Sequence, residues 1–130
     1  MTVILPEIHD GELRKIEIPG NATLTLTFET IDKKVKSLTL EGVEDFRCDG
    51  ILAGNIVSDI QQIDEPTLQD LERVTCREST LRDSRPPSEK ERGYLRSKLE
   101  AVRRGDLVFL RMESSYGCVM GTVCRSYRTA

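Results

Sequence analysis

Apolar and polar side chains alternate most cleanly between Ala22 and Thr30, where Leu24, Leu26 and Phe28 interleave with Thr23, Thr25, Thr27 and Glu29. A period of two is that of a strand with one buried and one wet face. The pattern extends both ways. Glu12 to Ile18 predicts an earlier strand with Ile16 and Ile18 inward, closed by a turn at Pro19-Gly20-Asn21, where proline presets φ and glycine accepts a positive one. Lys36, Leu38 and Leu40 begin a third strand ending near Gly42. From Val43 to Gly54 turn formers mix with Val43, Phe46, Ile51 and Leu52, which predicts a compact loop with those four residues packed on the sheet. Alternation resumes from Asn55 to Ile63 as a fourth strand, Ile56, Ser58 and Ile60 on one face and Asn55, Val57, Asp59 and Gln61 on the other. Short connections between successive strands predict an antiparallel meander of about four strands.

The period then changes. Asp64-Glu65-Pro66 reads as a helix start, with Pro66 in the first turn and Leu68, Leu71 and Val74 on one row, ending near Thr75. Residues 77–87 hold serines, prolines and alternating charges around a single Leu81 and predict a mobile segment. Ser88 and Glu91 have the spacing of a reciprocal helix cap, Leu95, Leu99 and Val102 form one stripe, and Gly105 is the stop. Leu107 to Leu110 suits a covered strand, Glu113 to Gly117 a turn, and Cys118 to Cys124 a last strand pairing with it. In that turn Tyr116 is expected to bury its ring and Gly117 to supply a positive φ. The sum is a single α+β domain spanning 1–130: an N-terminal antiparallel meander, then an amphipathic helix and a C-terminal strand pair. The apolar face of the first half is expected to be roofed by the stripe of the late helix.

Composition adds bounds. At 130 residues, 38% hydrophobic and 32% charged with no tryptophan, the chain suits one domain under a heavily solvated surface. The net charge of -3 is uneven, residues 1–65 holding 6 Lys and Arg against 13 Asp and Glu. An acidic chain lacks the basic surface that phosphate neutralisation needs, so no nucleic-acid partner is expected. Cys48, Cys76, Cys118 and Cys124 form no CxxC pair and no zinc spacing, so reduced thiols and no metal are expected. The first residues lack a basic stretch and a full apolar run, and no stretch reaches the roughly 20 apolar residues a span needs. Together these predict a cytoplasmic protein without membrane contact.

His9 is the single histidine, with Asp10 and Glu12 beside it. If the fold brings the ends of the chain together, His9, Asp10, Glu12 and Tyr116 make a candidate polar site for a small molecule or metal, or for acid–base chemistry. Against that, no phosphate loop, GxSxG or HExxH is present, so neither catalytic residues nor a cofactor are expected, and the chain reads as no enzyme.

Three stretches resemble a group of small, largely uncharacterised bacterial proteins: His9-Asp10-Gly11-Glu12-Leu13, with glycine where alanine is commoner, Leu40 to Phe46 leading into Gly54-Asn55-Ile56-Val57, and Ser114-Ser115-Tyr116-Gly117. Some of that group are regarded as immunity proteins of polymorphic toxin systems. The resemblance implies a non-enzymatic binding protein; the acidic side chains of the first half, among them Glu41, Glu44, Asp45 and Asp49, are the surface expected to occlude a basic partner such as a toxin. A homodimer pairing exposed strand edges is a further alternative.

Overall fold

The computed structural model of the chain describes residues 2–74 and 88–130. The segment 77–87 expected to be mobile lies outside the described residues. The strands are β1 (Thr2–Ile4), β2 (Gly11–Gly20), β3 (Thr23–Glu29), β4 (Val35–Glu41), β5 (Asp45–Asp49), β6 (Ile56–Gln62), β7 (Val108–Tyr116), β8 (Val119–Cys124) and β9 (Ser126–Thr129). The helices are α1 (Leu68–Val74) and α2 (Glu89–Arg104), with a 3-10 turn at Pro6–Ile8. The class is α+β. All strand pairs are antiparallel, in the order β5-β8-β7-β6-β2-β3-β4-β9, with β1 added beside β6.

That order closes on itself. β5 and β9 stand at its two ends, yet β5 continues β4 through Gly42–Glu44 and β9 continues β8 through Arg125. Pairing runs on through the bend: the Arg125 amide donates to the carbonyls of Glu41 at 3.0 Å and Gly42 at 3.2 Å, and the Glu44 amide donates to Val123 at 2.9 Å. Gly42, at φ 62, lets the chain turn there. The result is a ring of β2, β3, β4–β5, β8–β9, β7 and β6, a barrel in which closure removes most free edges. The predicted meander holds through β2, β3 and β4, whereas the strand after the loop, β6, pairs with β2 and β7 instead of extending it.

Inside the ring lie Leu13, Leu24, Leu26, Phe28, Leu38, Leu40, Val57, Ile60, Leu110, Met112 and Met120. Pleat parity is broken twice on the way. In β2 the pairing with β3 slips between Leu13 and Lys15 and again between Glu17 and Gly20, so Leu13 faces in while Ile18, expected inward, is 76% exposed. Ile16 stands opposite Leu26 but remains partly open, at 37%. The hairpin bends at Asn21–Ala22, with Ala22 at φ 53, rather than at Pro19–Gly20. In β6 slips between Ile56 and Asp59 bring Val57 and Ile60, three apart, to the same buried side, which overturns the simple alternation. Gly11 is glycine for a steric reason: a Cβ there would lie 2.8 Å from the backbone oxygens of both Ile8 and Glu29.

The late helix does not roof the N-terminal strands. Leu95, Leu99 and Val102 of α2 join Leu71 and Val74 of α1 over Phe109 and Val123, on the outer face of β7 and β8. The interior of the first half is instead covered by β7 and β8, because barrel closure supplies a lid that an open sheet lacks. Ser88 caps α2, accepting from the Glu91 amide at 3.2 Å, and Gly105 ends it at φ 85. α1 begins at Leu68 rather than Pro66, since Thr67 and Asp70 cap it reciprocally, amide to side-chain oxygen, at 2.9 and 3.1 Å.

Cysteine pairing also departs from expectation. Cys48 and Cys118 form a disulfide, and Cys124 is a buried free thiol. Cys48 stands opposite Met120, whose inward face is the one Cys118 shares two residues earlier. The two are 70 residues apart in sequence, so only the β5–β8 pairing makes them neighbours. No helix among the described residues is long and apolar enough to cross a membrane.

Candidate functional site

At the end of β5 the chain leaves the barrel through residues 50–55, and beside it β7 turns into β8 at Gly117 and Cys118. One side chain joins the two turns. Asn55, 7% exposed, donates from Nδ2 to the Leu52 carbonyl at 2.8 Å, while its Oδ1 accepts from the amides of Leu52 at 2.9 Å and Cys118 at 3.1 Å. Gly117, at φ 87, approaches Asn55 so closely that a Cβ would clash with its side-chain oxygen. The Ser114 hydroxyl donates to the Cys118 carbonyl, and the disulfide lies directly beneath.

On this stitched rim four large apolar side chains face outward: Ile51 at 60%, Leu52 at 47%, Tyr116 at 58% and Val119 at 52%. Ile51 and Leu52 were expected to be buried, as was the ring of Tyr116. The reasons are local. Residues 45–49 are a strand, so the loop is only six residues long and the Leu52 backbone is held by Asn55, leaving the Ile51 and Leu52 side chains outside. β7 runs on through Tyr116, whose place opposite Ile56 puts it at the strand end in solvent.

The polar residues predicted near both ends converge on β6. His9 Nδ1 lies 2.7 Å from the Ser58 carbonyl, to which it donates, and Nε2 lies 3.6 Å from Asp10. Leu5 and Asp10, at φ 49 and 60, hold the 3-10 turn that presents the imidazole. The Ser58 hydroxyl is 2.7 Å from that of Ser115, the residue before Tyr116. Glu12 and Tyr116 both stand opposite Ile56, on its two sides. Glu12 is engaged by Arg14 at 3.4 Å, and Arg14 reaches Glu29 at 3.3 Å. A cleft of about 210 Å³ opens beside His9, Ser58, Asp59 and Leu5.

The four acids expected to face a partner are placed differently from one another. Glu41 pairs with Arg128 at 2.8 Å. Glu44 pairs with Lys98, and Asp45 accepts from the Tyr94 hydroxyl at 2.9 Å, so these two anchor α2 to the barrel bend. Burial pushes the Lys98 ammonium below its ordinary range. Asp49, with a side chain 63% exposed, pairs with Arg47 at 2.7 Å and stands opposite Val119, so it alone borders the rim.

No group of three or more His, Cys, Asp or Glu able to hold a metal occurs among the described residues. Comparisons with protein-family models, with curated proteins and with solved structures each found no match. The exposure of Ile51, Leu52 and Val119 on this rim was not foreseen; the glycines at 50, 54 and 117 flanking them were the available signal.

Proposed function

We propose that this chain is a non-enzymatic binding domain that occludes part of a protein partner, in the manner of an immunity protein. The supporting observation is the rim: Ile51, Leu52, Tyr116 and Val119 stand exposed on two turns that Asn55 ties together. Scattered apolar side chains are ordinary on a surface, but a rigid group of four lowers the ordering cost of association. Asp49, opposite Val119 and 63% exposed although paired with Arg47, favours a partner surface whose apolar patch has a polar margin. Glu41 lies away on the β4–β9 pair and adds long-range charge, while Glu44 and Asp45 serve the fold.

The test is co-expression with a toxin-type protein encoded beside this chain. A stoichiometric complex with protection of the cells is expected, and Leu52→Asp should abolish both while leaving the thermal unfolding midpoint near wild type. Neither complex nor protection would remove the proposal. A second reading is supported by the His9–Ser58–Ser115 connection, which joins the cleft at His9 to the strand that carries Tyr116. For that reading, His9→Ala must change ligand uptake without altering partner binding.

A further inference from the structure

Between α1 and the outer face of β5, β8 and β7 lies a cleft of about 270 Å³. Its construction follows from register. Arg47, Gly121 and Arg111 stand opposite one another on three adjacent strands, so two guanidiniums flank a position with no side chain. Val74 of α1 enters that gap, where a Cβ on Gly121 would sit 2.5 Å from its Cγ2. Val74, Phe109 and Val119 make its apolar lining.

The charges of the lining are nearly spent, with one exception. Arg47 donates to Asp49 at 2.7 Å and to the Arg73 carbonyl at 3.0 Å. Arg111 lies 2.8 Å from Glu113 and 3.9 Å from Asp70, and donates to Gln61 at 3.0 Å. Arg73 lines the same cleft, is exposed, and its guanidinium makes no ion pair with a described residue. Three arginines therefore face three carboxylates, with one fork free. A doubly charged anion would meet those carboxylates, whereas a single negative charge matches Arg73 and the unused Nη2 of Arg47.

We propose that this cleft binds a small organic carboxylate carrying an apolar group, its carboxylate on Arg73 and Arg47 and its apolar part on Val74, Phe109 and Val119. The cleft borders the rim, sharing Val119 and Asp49 with it, but its ligand needs no protein partner. The probe is benzoate, titrated into the isotope-labelled full chain, with benzyl alcohol and inorganic phosphate as comparisons. Saturating amide shifts at Val74, Met120 and Gly121 are expected with benzoate at about 1–10 mM, and none with the other two. Arg73→Gln should weaken the response by about tenfold, and Arg73→Lys, which keeps the charge but not the fork, by less. Absence of saturation at the cleft, a response unchanged in Arg73→Gln, or a stronger response to phosphate would each overturn the assignment.

Discussion

The Asn55 amide satisfies three backbone groups from two turns at once, one of them fully buried and two partly so. Replacing it with alanine strands those groups, and Asn55→Ala should cost about 1–3 kcal/mol and open residues 50–55 to proteolysis before global unfolding. Cys124 tests burial through pH. Desolvation pushes its thiol up from an ordinary value of 9.0 to about 11. The unfolded chain ionises first, so stability is full below pH 9 and falls as pH rises through about 11, by on the order of 2 kcal/mol. Tyr127, raised chiefly by burial, acts in the same direction. Denaturant titrations at both ends of that window should therefore show a smaller loss in Cys124→Ala than in wild type. At this scale Gly117 was readable, because a turn glycine has a backbone reason; Asn55 was not, since its partner Cys118 is 63 residues away.

Elements were legible in proportion to how local their causes are. Ser88, Glu91 and Gly105 fix the ends of α2 within one or two turns, and the Leu24–Phe28 alternation is undisturbed in β3. β2 and β6 defeated alternation because bulges are set by pairing, which a single strand's pattern does not contain. β5 was hidden for a related reason: its five residues are all partly or fully exposed and carry no period of their own. The seat of α1 on β8 gives a test at this scale. Gly121→Ala should destabilise by about 1–3 kcal/mol through overpacking against Val74, and Val74→Ala should relieve part of it. A double-mutant cycle on urea midpoints would register that coupling, and strict additivity would show that α1 sits elsewhere.

For the molecule as a whole, closure decides which surfaces exist. Two bent strands, β4–β5 and β8–β9, zip the sheet into a ring, so the interior is covered by strands and the helices pack outside. No composition or periodicity announces that, which is why the expected helix roof was misplaced. The Cys48–Cys118 bond ties the same two strands near the rim across a loop for which chain entropy allows roughly 4 kcal/mol at most. A dithiol reductant should lower stability by about 2–4 kcal/mol, and Cys48→Ala with Cys118→Ala should reproduce the loss and abolish the reductant's effect. Such a bond persists in oxidising surroundings, in tension with the expected cytoplasmic location; alkylation of thiols before lysis decides between them.

The surface so displayed can be mapped in one experiment, an amide-shift titration of the labelled chain with its protein partner. Leu52, Tyr116 and Val119 should move or broaden together with Asp49, while Ile31 and Val35, more exposed still but in and beside the β3–β4 turn, stay unchanged. A footprint centred on Ile31 and Val35, with the rim silent, would contradict the account.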